Sequence, residues 1–471
     1  MPPLLPVDQA LARILEGLPR TAIEHLPLER AHGRILAAPL ASRLTLPEQD
    51  VSAMDGYAVN AADCHALISA DNSEQGQITL TRIGESAAGH PWAGRLGSGE
   101  AVRIFTGAVV PDGADTIILQ EDVTASAEQD GASIILTEAP ITGRFIRTAG
   151  LDVKAGTQIL PAGTPLSARA LALALSTGHA EAAFYARPRV GILSTGDELV
   201  SPGETPGPGQ IISSNAAYLA AFVAACGAIA VPLGIARDQP GAMLASVRSV
   251  RDVRSAKETR DTQDTQDAQD AQSGQGGQGG QDAHATNGPL DLIVTTGGAS
   301  VGVHDHIVSD LEATNTETNT DTDTGTETGT SPKSALDFWK IAMRPGKPLI
   351  YGRVDGIPLL GLPGNPVSSA VCALIFLRPS ILHMAGGAPD ETLLTARLAT
   401  PLPANDQRQD YLRARLSHDG DDLPLITPFD RQDSSMISVL SRSDALLVRP
   451  PFDPARAIGD LVTALPIPPR L

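Results

Sequence analysis

The sequence predicts a multidomain protein of the α/β plus β class. In it, a doubly wound α/β domain is combined with two β-rich domains and an N-terminal helical, linking domain. Between residues 187 and 390, short apolar runs alternate with helical patterns, which is typical of a mostly parallel sheet covered by helices. Short β-branched runs separated by Gly and Pro occur in residues 52–147 and 391–471. The linking domain is assigned to residues 1–51 and 148–186.

Two helices are predicted in the linking domain. The first begins at Asp8, because apolar side chains follow at helical spacing, at Ala10, Leu11, Ile14, Leu15 and Leu18. Such an amphipathic helix can pack on its own domain or on a partner chain, and the sequence favours its own domain. The second helix is expected from an N-cap at Ser167 through Ser176, with Gly178 ending it.

The two β-rich domains are predicted from short strands that end at turn residues. In the first domain we expect strands at Ile83–Glu85, Glu100–Phe105, Thr116–Gln120 and Ser133–Leu136. From about Thr392 the helical period is absent, so only strands are expected, at Leu393–Leu398, Tyr411–Leu416, Leu425–Thr427, Ala445–Val448 and Leu461–Leu465.

The α/β domain is organised around the run from Leu290 to Gly302. Its apolar, β-branched first half predicts a buried strand, and the Gly- and hydroxyl-rich second half predicts a loop before a helix at His306–Leu311. Backbone N–H groups in such a loop, together with a helix N-terminus, can bind an anion. Glycine-rich turns also serve packing alone, so this stretch by itself leaves both roles open.

The loop after Leu290 is one of four polar loops that follow predicted strands, around residues 194–199, 237–238, 295–305 and 363–366. The other strands of the sheet are predicted at Arg189–Leu193, Ile229–Ile235, Phe338–Met343, Leu349–Gly352 and Leu359–Leu362. Because open α/β sheets bind ligands at the carboxyl ends of their strands, the four loops together predict a ligand site.

Composition excludes several classes of function. The formal net charge is −19, which argues against a nucleic-acid partner and against an anionic membrane surface. Three cysteines, Cys64, Cys226 and Cys372, lie far apart without metal-ligand or redox spacing. No signal peptide is recognised, and the longest apolar runs are judged too short or too interrupted to span a bilayer. We therefore expect a cytoplasmic protein.

Two low-complexity tracts interrupt the α/β domain, at about residues 255–288 and 314–333. The first is rich in Gln, Asp and Gly, and the second in Thr, Asn, Asp, Glu and Gly. Apolar side chains that could offset the entropy of ordering are scarce in both tracts. Disordered surface insertions are therefore expected here.

Six stretches, taken together and in order, resemble the molybdopterin molybdenumtransferase family of molybdenum-cofactor synthesis, which is related to the E domain of gephyrin. They cover nearly the whole chain and comprise Ser52–Val59 (SAMDGYAV), Arg103–Pro111 (RIFTGAVVP), Ser194–Leu199 (STGDEL), Gly297–Asp305 (GGASVGVHD), Phe338–Pro348 (FWKIAMRPGKP) and Gly361–Ser368 (GLPGNPVS). No single stretch is decisive, but six in family order are highly specific.

The resemblance implies a reaction and an assembly. In this family, adenylylated molybdopterin and molybdate react with a divalent cation, usually Mg²⁺, molybdenum enters the dithiolene, and AMP is released. The α/β domain would be the molybdopterin-binding fold. The expected assembly is a homodimer with a shared active-site cleft, between the α/β domain of one subunit and the first β-rich domain of the other. The adenylyltransferase is a candidate partner.

The resemblance also implies roles for individual residues. Glu198, Asp238 and Asp305 are expected near the metal and the reacting groups, with Asp55, Thr106, Arg147 and Asp152 supplied by the partner subunit to hold molybdate. Substrate binding is assigned to Ser194, Thr195, Gly196, Asp197, Asn215, Gly297, Gly298, Ser300, Gly302, Lys340, Arg344, Lys347, Pro363, Gly364 and Asn365. Backbone and hydroxyl donors suit phosphate, and the cations supply the local positive charge that an acidic chain otherwise lacks.

Two other functions remain as alternatives. Molybdopterin adenylyltransferases use a similar α/β fold, but that family usually stands as a single small domain. A gephyrin-like scaffold would bind peptides without catalysis. The presence of Asp55, Glu198 and Asp305 favours chemistry over the scaffold role.

Overall fold

The structure is a computed structural model of the 471-residue chain. It describes residues 4–70, 78–136, 139–249, 288–297, 307, 311, 335–388, 393–418, 420, 423–469 and 471. The two low-complexity insertions expected at about 255–288 and 314–333 lie outside the described residues, apart from residue 288.

The strands of the described residues are numbered in chain order. They are β1 (Ile23–Pro27), β2 (Leu40–Ala41), β3 (Val51–Ser52), β4 (Gly56–Val59), β5 (Ile78–Ser86), β6 (Glu100–Ile104), β7 (Thr116–Leu119), β8 (Val123–Ala125), β9 (Ser133–Leu136), β10 (Ile146–Arg147), β11 (Gln158–Leu160), β12 (Glu181–Tyr185), β13 (Arg189–Thr195), β14 (Leu199–Val200), β15 (Ile211–Ile212), β16 (Ile229–Ala236), β17 (Leu292–Thr296), β18 (Ala335–Trp339), β19 (Met343–Arg344), β20 (Ile350–Val354), β21 (Ile357–Leu362), β22 (Leu394–Leu398), β23 (Gln409–Ser417), β24 (Leu425–Pro428), β25 (Ala445–Arg449) and β26 (Leu461–Pro466).

The helices that matter here are numbered in the same way. They are α1 (Val7–Glu16), α2 (Ala61–Ala70), α3 (Ala168–Ser176), α4 (Ser214–Ala225), α5 (242–249), α6 (Pro366–Met384) and α7 (Ile437–Leu440). Helix α6 contains a π-helical segment at Ala373–Leu377. Ile307 and Leu311, in the segment predicted to be a helix after the glycine loop, are both helical.

The chain packs into two compact units. One comprises Met1–Glu24, Gly33–Ala37 and Ala183–Leu471, and the other comprises His25–His32 and Ala38–Ala182. The finer division into four domains made from the sequence stays a prediction.

The smaller unit contains a six-stranded sheet in the order β7-β4-β6-β5-β9-β8. Strands β5 and β6 are parallel, while the other pairings in this sheet are antiparallel. Alternate residues of β5 are buried, as expected for a strand with one face on a core. The four strands predicted in this region correspond to β5, β6, β7 and β9.

The larger unit is built on a six-stranded sheet in the order β16-β13-β17-β21-β20-β18. Its first four strands are parallel, and β20 and β18 are antiparallel to their neighbours. Every residue of β13 and β17 is buried, which explains their nearly continuous apolar sequences.

Helices cover both faces of this sheet. Val190 and Ile192 belong to one buried cluster, together with residues of α1, α4 and α6. Leu193 belongs to a second cluster on the other face, together with residues of α5 and with Ile307 and Leu311. This is the predicted doubly wound arrangement. Helix α1 packs in the core of its own unit, as the sequence favoured.

Helix α6 corrects one prediction about apolar runs. Its 19 residues are long and apolar enough to cross a membrane by length and composition, so the expectation that every run is too short or too interrupted was wrong. In the fold, 83% of its apolar window is buried. The helix is packed as the core helix of the larger unit.

The C-terminal strands close into a barrel in the order β23-β24-β22-β26-β25, with β25 pairing back onto β23. A short helix, α7, interrupts the strands, contrary to the expectation of strands alone. Strand β19 adds to the outside of the barrel sheet by pairing in parallel with β23. The predicted single strand Phe338–Met343 is therefore wrong, because Lys340, with φ +86°, turns the chain between β18 and β19.

Candidate functional site

A cleft of about 290 Å³ opens at the carboxyl ends of the parallel strands. We call it the hydroxyl cleft, because hydroxyl, amide and glycine residues dominate its lining. Its lining residues are Ser194, Thr195, Glu198, Leu199, Ile211, Ile212, Ser213, Ser214, Asn215, Thr296, Gly297, Gly364, Asn365 and Pro366. Seven of the residues assigned to substrate or metal from the sequence are in this set, which supports the prediction of a site at this edge.

The register of the sheet brings the loops of the hydroxyl cleft together. Ser194 of β13 lies opposite Thr296 of β17, which in turn lies opposite Leu362 of β21, so the three strands end level. The loops then approach so closely that glycine is required. A Cβ atom at Gly297 would lie 2.3 Å from the backbone oxygen of Thr195.

Asn215 ties two of these loops to each other. Its Nδ2 donates to Thr296 Oγ1 and to the Gly364 backbone oxygen, both at 2.7 Å. Beside it, the hydroxyls of Ser194 and Ser213 are 3.0 Å apart. Asn215, predicted to bind substrate, therefore also fixes the walls of the cleft.

Thr195 offers an unused polar atom at the cleft. Its Oγ1 is buried and has no hydrogen-bond partner among the described residues. A buried hydroxyl that the fold leaves unsatisfied is costly unless a ligand or water supplies the partner. Its position at the cleft wall suits a hydrogen bond to a bound phosphate oxygen.

The carboxylates that were predicted near the metal are placed differently from one another. Glu198 lines the cleft, and its carboxylate folds over Gly196, where a Cβ atom would come within 2.5 Å of Oε2. Asp197 Oδ1 accepts a hydrogen bond from the Asp238 backbone N–H at 3.2 Å. Arg237 donates to the Asp197 backbone oxygen at 3.1 Å. Asp197 thus shapes the loop, and only Glu198 of these three acids is in the cleft lining.

A ready-made metal cage is not found in the described ranges. There, no three His, Cys, Asp or Glu side chains are grouped closely enough to hold a metal ion. Asp305, predicted as a further carboxylate, lies outside the described residues, as do Gly298, Ser300 and Gly302. The metal assignments of Asp238 and Asp305 remain predictions.

The start of helix α6 forms the remaining wall of the cleft. Asn365 is the N-cap, with its side chain accepting from the Ser368 N–H at 3.5 Å, and Pro366 occupies the first turn. The preceding residues Pro363 and Gly364 connect this cap to β21. The rigid loop predicted before a helix is therefore present.

A second cavity of about 320 Å³ lies between the α/β domain and the barrel within the larger unit, and we call it the basic pocket. Sequence reasoning identified only two of its residues, Arg344 and Lys347. Its lining residues are Met343, Arg344, Pro345, Gly346, Lys347, Pro348, Ser368, Arg408, Tyr411, Leu412, Arg413, Gln432 and Ser434. Among the described residues, no Asp or Glu is part of this lining.

Arg413, on barrel strand β23, is the least expected of these residues. It is fully buried and forms no ion pair within the described part of the chain. Its guanidinium donates to Gln432 Oε1 from Nε and Nη2 and to the Asp433 backbone oxygen from Nη1, at 2.9–3.0 Å. Burial lowers the pKa of this guanidinium, and the nearby charge of Asp433 opposes that effect. Of its five N–H donors, two remain for a ligand.

The other cations of the basic pocket differ in how they are paired. Arg344 forms ion pairs with Asp406 and Asp410, which anchor it to the barrel. Arg408 also pairs with Asp406, and its hydrogen bonds lower the pKa of that carboxyl to about 2. Lys347 is exposed, without a polar side-chain partner in the described ranges. With four cations and two paired acids, the pocket keeps positive charge for an anion.

The remaining predicted cation, Lys340, lines neither cavity. Its ammonium lies 3.7 Å from the centroid of the Trp339 ring, in a cation–π contact. Its assigned substrate role is unsupported by this placement and stays a prediction.

The predicted partner-subunit residues lie in the smaller unit. Asp55 Oδ1 accepts from both the N–H and the hydroxyl of Thr106 at 2.8 Å, and these bonds lower the pKa of the Asp55 carboxyl. Arg147 and Asp152 are exposed. Asp55 and Thr106 are thus brought together, whereas the proposed contact of all four residues with a second subunit stays a prediction.

The fold and its two cavities define a class of protein. An open α/β sheet with a polar cleft at its strand ends, next to a cationic pocket, is an arrangement typical of α/β proteins that bind anionic ligands.

Comparison with known proteins narrows this class to one family. Three family models match: "MoeA N-terminal region (domain I and II)" over residues 5–178, "Probable molybdopterin binding domain" over 281–383, and "MoeA C-terminal region (domain IV)" over 395–467. Molybdopterin molybdenumtransferase of Haemophilus influenzae is 33% identical over 384 residues, covering 81% of this chain and 78% of that protein. Molybdopterin molybdenumtransferase 2 of Mycobacterium tuberculosis is 35% identical over 402 residues, with 83% of each chain covered.

A solved structure agrees with these relatives. The crystal structure of the molybdopterin biosynthesis MoeA protein from Pyrococcus horikosii aligns with a TM-score of 0.73 at 26% identity, covering 98% of this chain and 99% of that one. The chain belongs to the molybdopterin molybdenumtransferase family, a family of transferases. The family, the fold class and the enzyme class predicted from the sequence are confirmed.

Proposed function

We propose that the protein inserts molybdenum into adenylylated molybdopterin in the cytoplasm, using molybdate and Mg²⁺ and releasing AMP. The observation that carries the proposal is the position of the hydroxyl cleft and the basic pocket on either side of one helix start. Asn365 and Pro366 line the cleft, while Ser368, less than one turn further along α6, lines the basic pocket.

The hydroxyl cleft would hold the phosphate end of the pterin substrate. Thr195 supplies a buried, unpartnered hydroxyl, and of the neighbouring Ser194 and Ser213, which bond to each other, one keeps an O–H that can donate. The acidic chain offers no long-range attraction, so these local donors must select the phosphates. Asn215 keeps the walls rigid, so the donors are positioned before the ligand arrives.

Glu198 would hold the divalent cation. Mg²⁺ is commonly held by one or two carboxylates, with phosphate oxygens and water completing its shell, so one carboxylate beside phosphate donors fits it. When bound, the cation would supply charge neutralisation for the phosphate oxygens.

The basic pocket would hold molybdate. A tetrahedral oxyanion suits the two free N–H donors of Arg413, the ammonium of Lys347 and the hydroxyl of Ser434. At a separation of about 4 Å and an effective dielectric constant of about 20, each pair of unit charges contributes on the order of 4 kcal/mol. A dianion would therefore add to the partial compensation that Asp433 provides for the buried charge of Arg413.

We also propose a homodimer in which Asp55, Thr106, Arg147 and Asp152 of the partner subunit close the site. The hydrogen bonds from Thr106 lower the pKa of the Asp55 carboxyl and hold the carboxylate in place, consistent with a role near a cation or a proton-donating group. Molybdate could bind at these four residues or in the basic pocket. Substitutions at each place, followed by measurement of molybdate binding, distinguish the two positions. Docking of the adenylyltransferase would supply the activated substrate directly.

The test uses purified protein with adenylylated molybdopterin, Mg²⁺ and molybdate, and measures molybdate-dependent AMP release. Thr195→Val removes the unpartnered hydroxyl while preserving shape, and we expect the KM for the pterin substrate to rise about tenfold. Thr395→Val is the matched control, since Thr395 is exposed on β22. If wild-type protein released no AMP in response to molybdate, the proposal would be wrong.

A further inference from the structure

We propose that Gln432 is a positioning residue for the oxyanion substrate, because it orients Arg413 through a neutral amide and not through a direct ion pair. The inference rests on the proposed function, and it adds a residue to which sequence reasoning assigned no role. Gln432 lies in the loop between β24 and α7, at the wall of the basic pocket.

The side chain of Gln432 is used completely to hold the arginine. Its Oε1 accepts from the N–H, Nε and Nη2 of Arg413 at 3.0, 3.0 and 2.9 Å. Its Nε2 donates to the backbone oxygens of Arg413 and Phe429 at 3.0 and 2.8 Å. The amide is therefore locked to the strand that carries the guanidinium, and it cannot turn away without breaking several bonds.

These contacts fix the orientation of the guanidinium at the wall of the pocket. Gln432 occupies the edge formed by Nε and Nη2, and the backbone oxygen of Asp433 occupies one donor of Nη1. One donor on each Nη is left for another acceptor. Without Gln432, the guanidinium could rotate, and these two donors would no longer be held in one place.

The amide chemistry of Gln432 matters as much as its position. A buried arginine is usually paired with a carboxylate, because an isolated buried charge is costly. Here a neutral amide satisfies the same N–H groups, and Arg413 has no ion pair in the part of the chain that the structure describes. Asp433 acts on Arg413 through its charge without a direct ion pair among the described residues, so no carboxylate blocks the guanidinium. Arg344 shows the opposite case, because its acids neutralise it.

The experiment compares Gln432→Met with Arg413→Met and with Arg415→Gln as the control. Met keeps the length of Gln but removes the acceptor and the donor. Arg415 is exposed on the same strand, two residues from Arg413, and stacks on Phe429. Molybdate and sulfate binding are measured by calorimetry, and the KM values for molybdate and for adenylylated molybdopterin are measured separately, together with Tm.

For Gln432→Met we expect molybdate to bind at least about tenfold more weakly, with its KM raised in parallel. The KM for the pterin substrate and the behaviour of the Arg415→Gln control should be close to those of wild type. Arg413→Met should weaken molybdate binding at least as much.

The outcomes distinguish failure of the positioning role of Gln432 from failure of the proposed molybdate site. If Arg413→Met weakens molybdate binding and Gln432→Met does not, the positioning role is refuted and the oxyanion site stands. If neither variant changes molybdate binding while wild-type activity is present, molybdate binds elsewhere and the inference falls with that site. If Gln432→Met raises both KM values equally, the residue has only a general structural role, which also overturns the inference.

Discussion

Replacing Gly297 by alanine should damage both the stability of the larger unit and the hydroxyl cleft. Gly297 has a φ of +96°, where a residue with a Cβ atom is strained by on the order of 1–3 kcal/mol. The new Cβ atom would also lie 2.3 Å from the Thr195 backbone oxygen and 2.9 Å from its Oγ1. Neither the backbone nor the buried hydroxyl can move freely, so overpacking adds about 1–3 kcal/mol.

The chain contains a matched control for this prediction. Gly203 has a φ of +95°, but no atom lies within 4 Å of the position that its Cβ would take. Gly203→Ala therefore carries the backbone strain without the overlap. The difference between the two variants isolates the close approach of the β13 and β17 loops, for which we expect about 1–3 kcal/mol.

Urea unfolding monitored by circular dichroism measures the free energies of the two variants and of wild type. The KM for adenylylated molybdopterin reports on substrate binding in the hydroxyl cleft. It should rise for Gly297→Ala and stay near the wild-type value for Gly203→Ala. Equal destabilisation of the two variants would refute the argument that the loops are in contact. A Gly297→Ala protein with a normal KM would refute the placement of the pterin substrate in this cleft.

Three further predictions concern the rest of the larger unit and the thiols. Asn215→Ala removes two hydrogen bonds between cleft loops, so the free energy of unfolding should fall by about 1–3 kcal/mol, measured by urea denaturation. Asp406→Asn should lower the urea midpoint at pH 7, and this effect should shrink below pH 3.8 and disappear below pH 2. The folded-state pKa of Asp406 is depressed to about 2 from 3.8, so its contribution is complete above pH 3.8 and is lost as the pH falls through 2. An unchanged difference at pH 2 would contradict the ion-pair assignment. Burial raises the pKa of Cys64 to about 11 and that of Cys226 to about 12, so native protein at pH 8 should be alkylated by iodoacetamide far more slowly than unfolded protein, as followed by mass spectrometry.

The parts of the fold that follow from local pattern could be predicted from the sequence. Strands β13 and β17 have the continuous apolar runs of doubly covered parallel strands, and the polar loop after each one is in the cleft. The carboxyl ends of parallel strands meet at one edge of the sheet. Recognising a polar loop after each strand was therefore enough to predict that Thr195 and Gly297 lie close together.

The basic pocket could not be predicted in the same way. Arg413 lies between Leu412 and Ala414 of the barrel core, so strand alternation puts it on the opposite face, where the sequence pattern suggests an ordinary exposed arginine. Its partner Gln432 comes from a loop, and the pocket forms only after the barrel closes by pairing β23 with β25. Such closure depends on contacts distant in sequence, which local periodicity does not contain.

The two-residue strand β19 has a consequence for local unfolding. Trp339 is hydrogen-bonded in the central sheet, while Met343, four residues later, pairs with Gln409 in the barrel sheet. The boundary between two cooperative units therefore falls within a single short stretch of chain. Amide hydrogen exchange at Met343 and Arg344 should follow the opening rate of the barrel, and that of Trp339 should follow the central sheet. An oxyanion that contacts both sides of the basic pocket would stabilise the central sheet and the barrel together. It would therefore slow amide exchange at Trp339 and at Met343 and Arg344 at the same time.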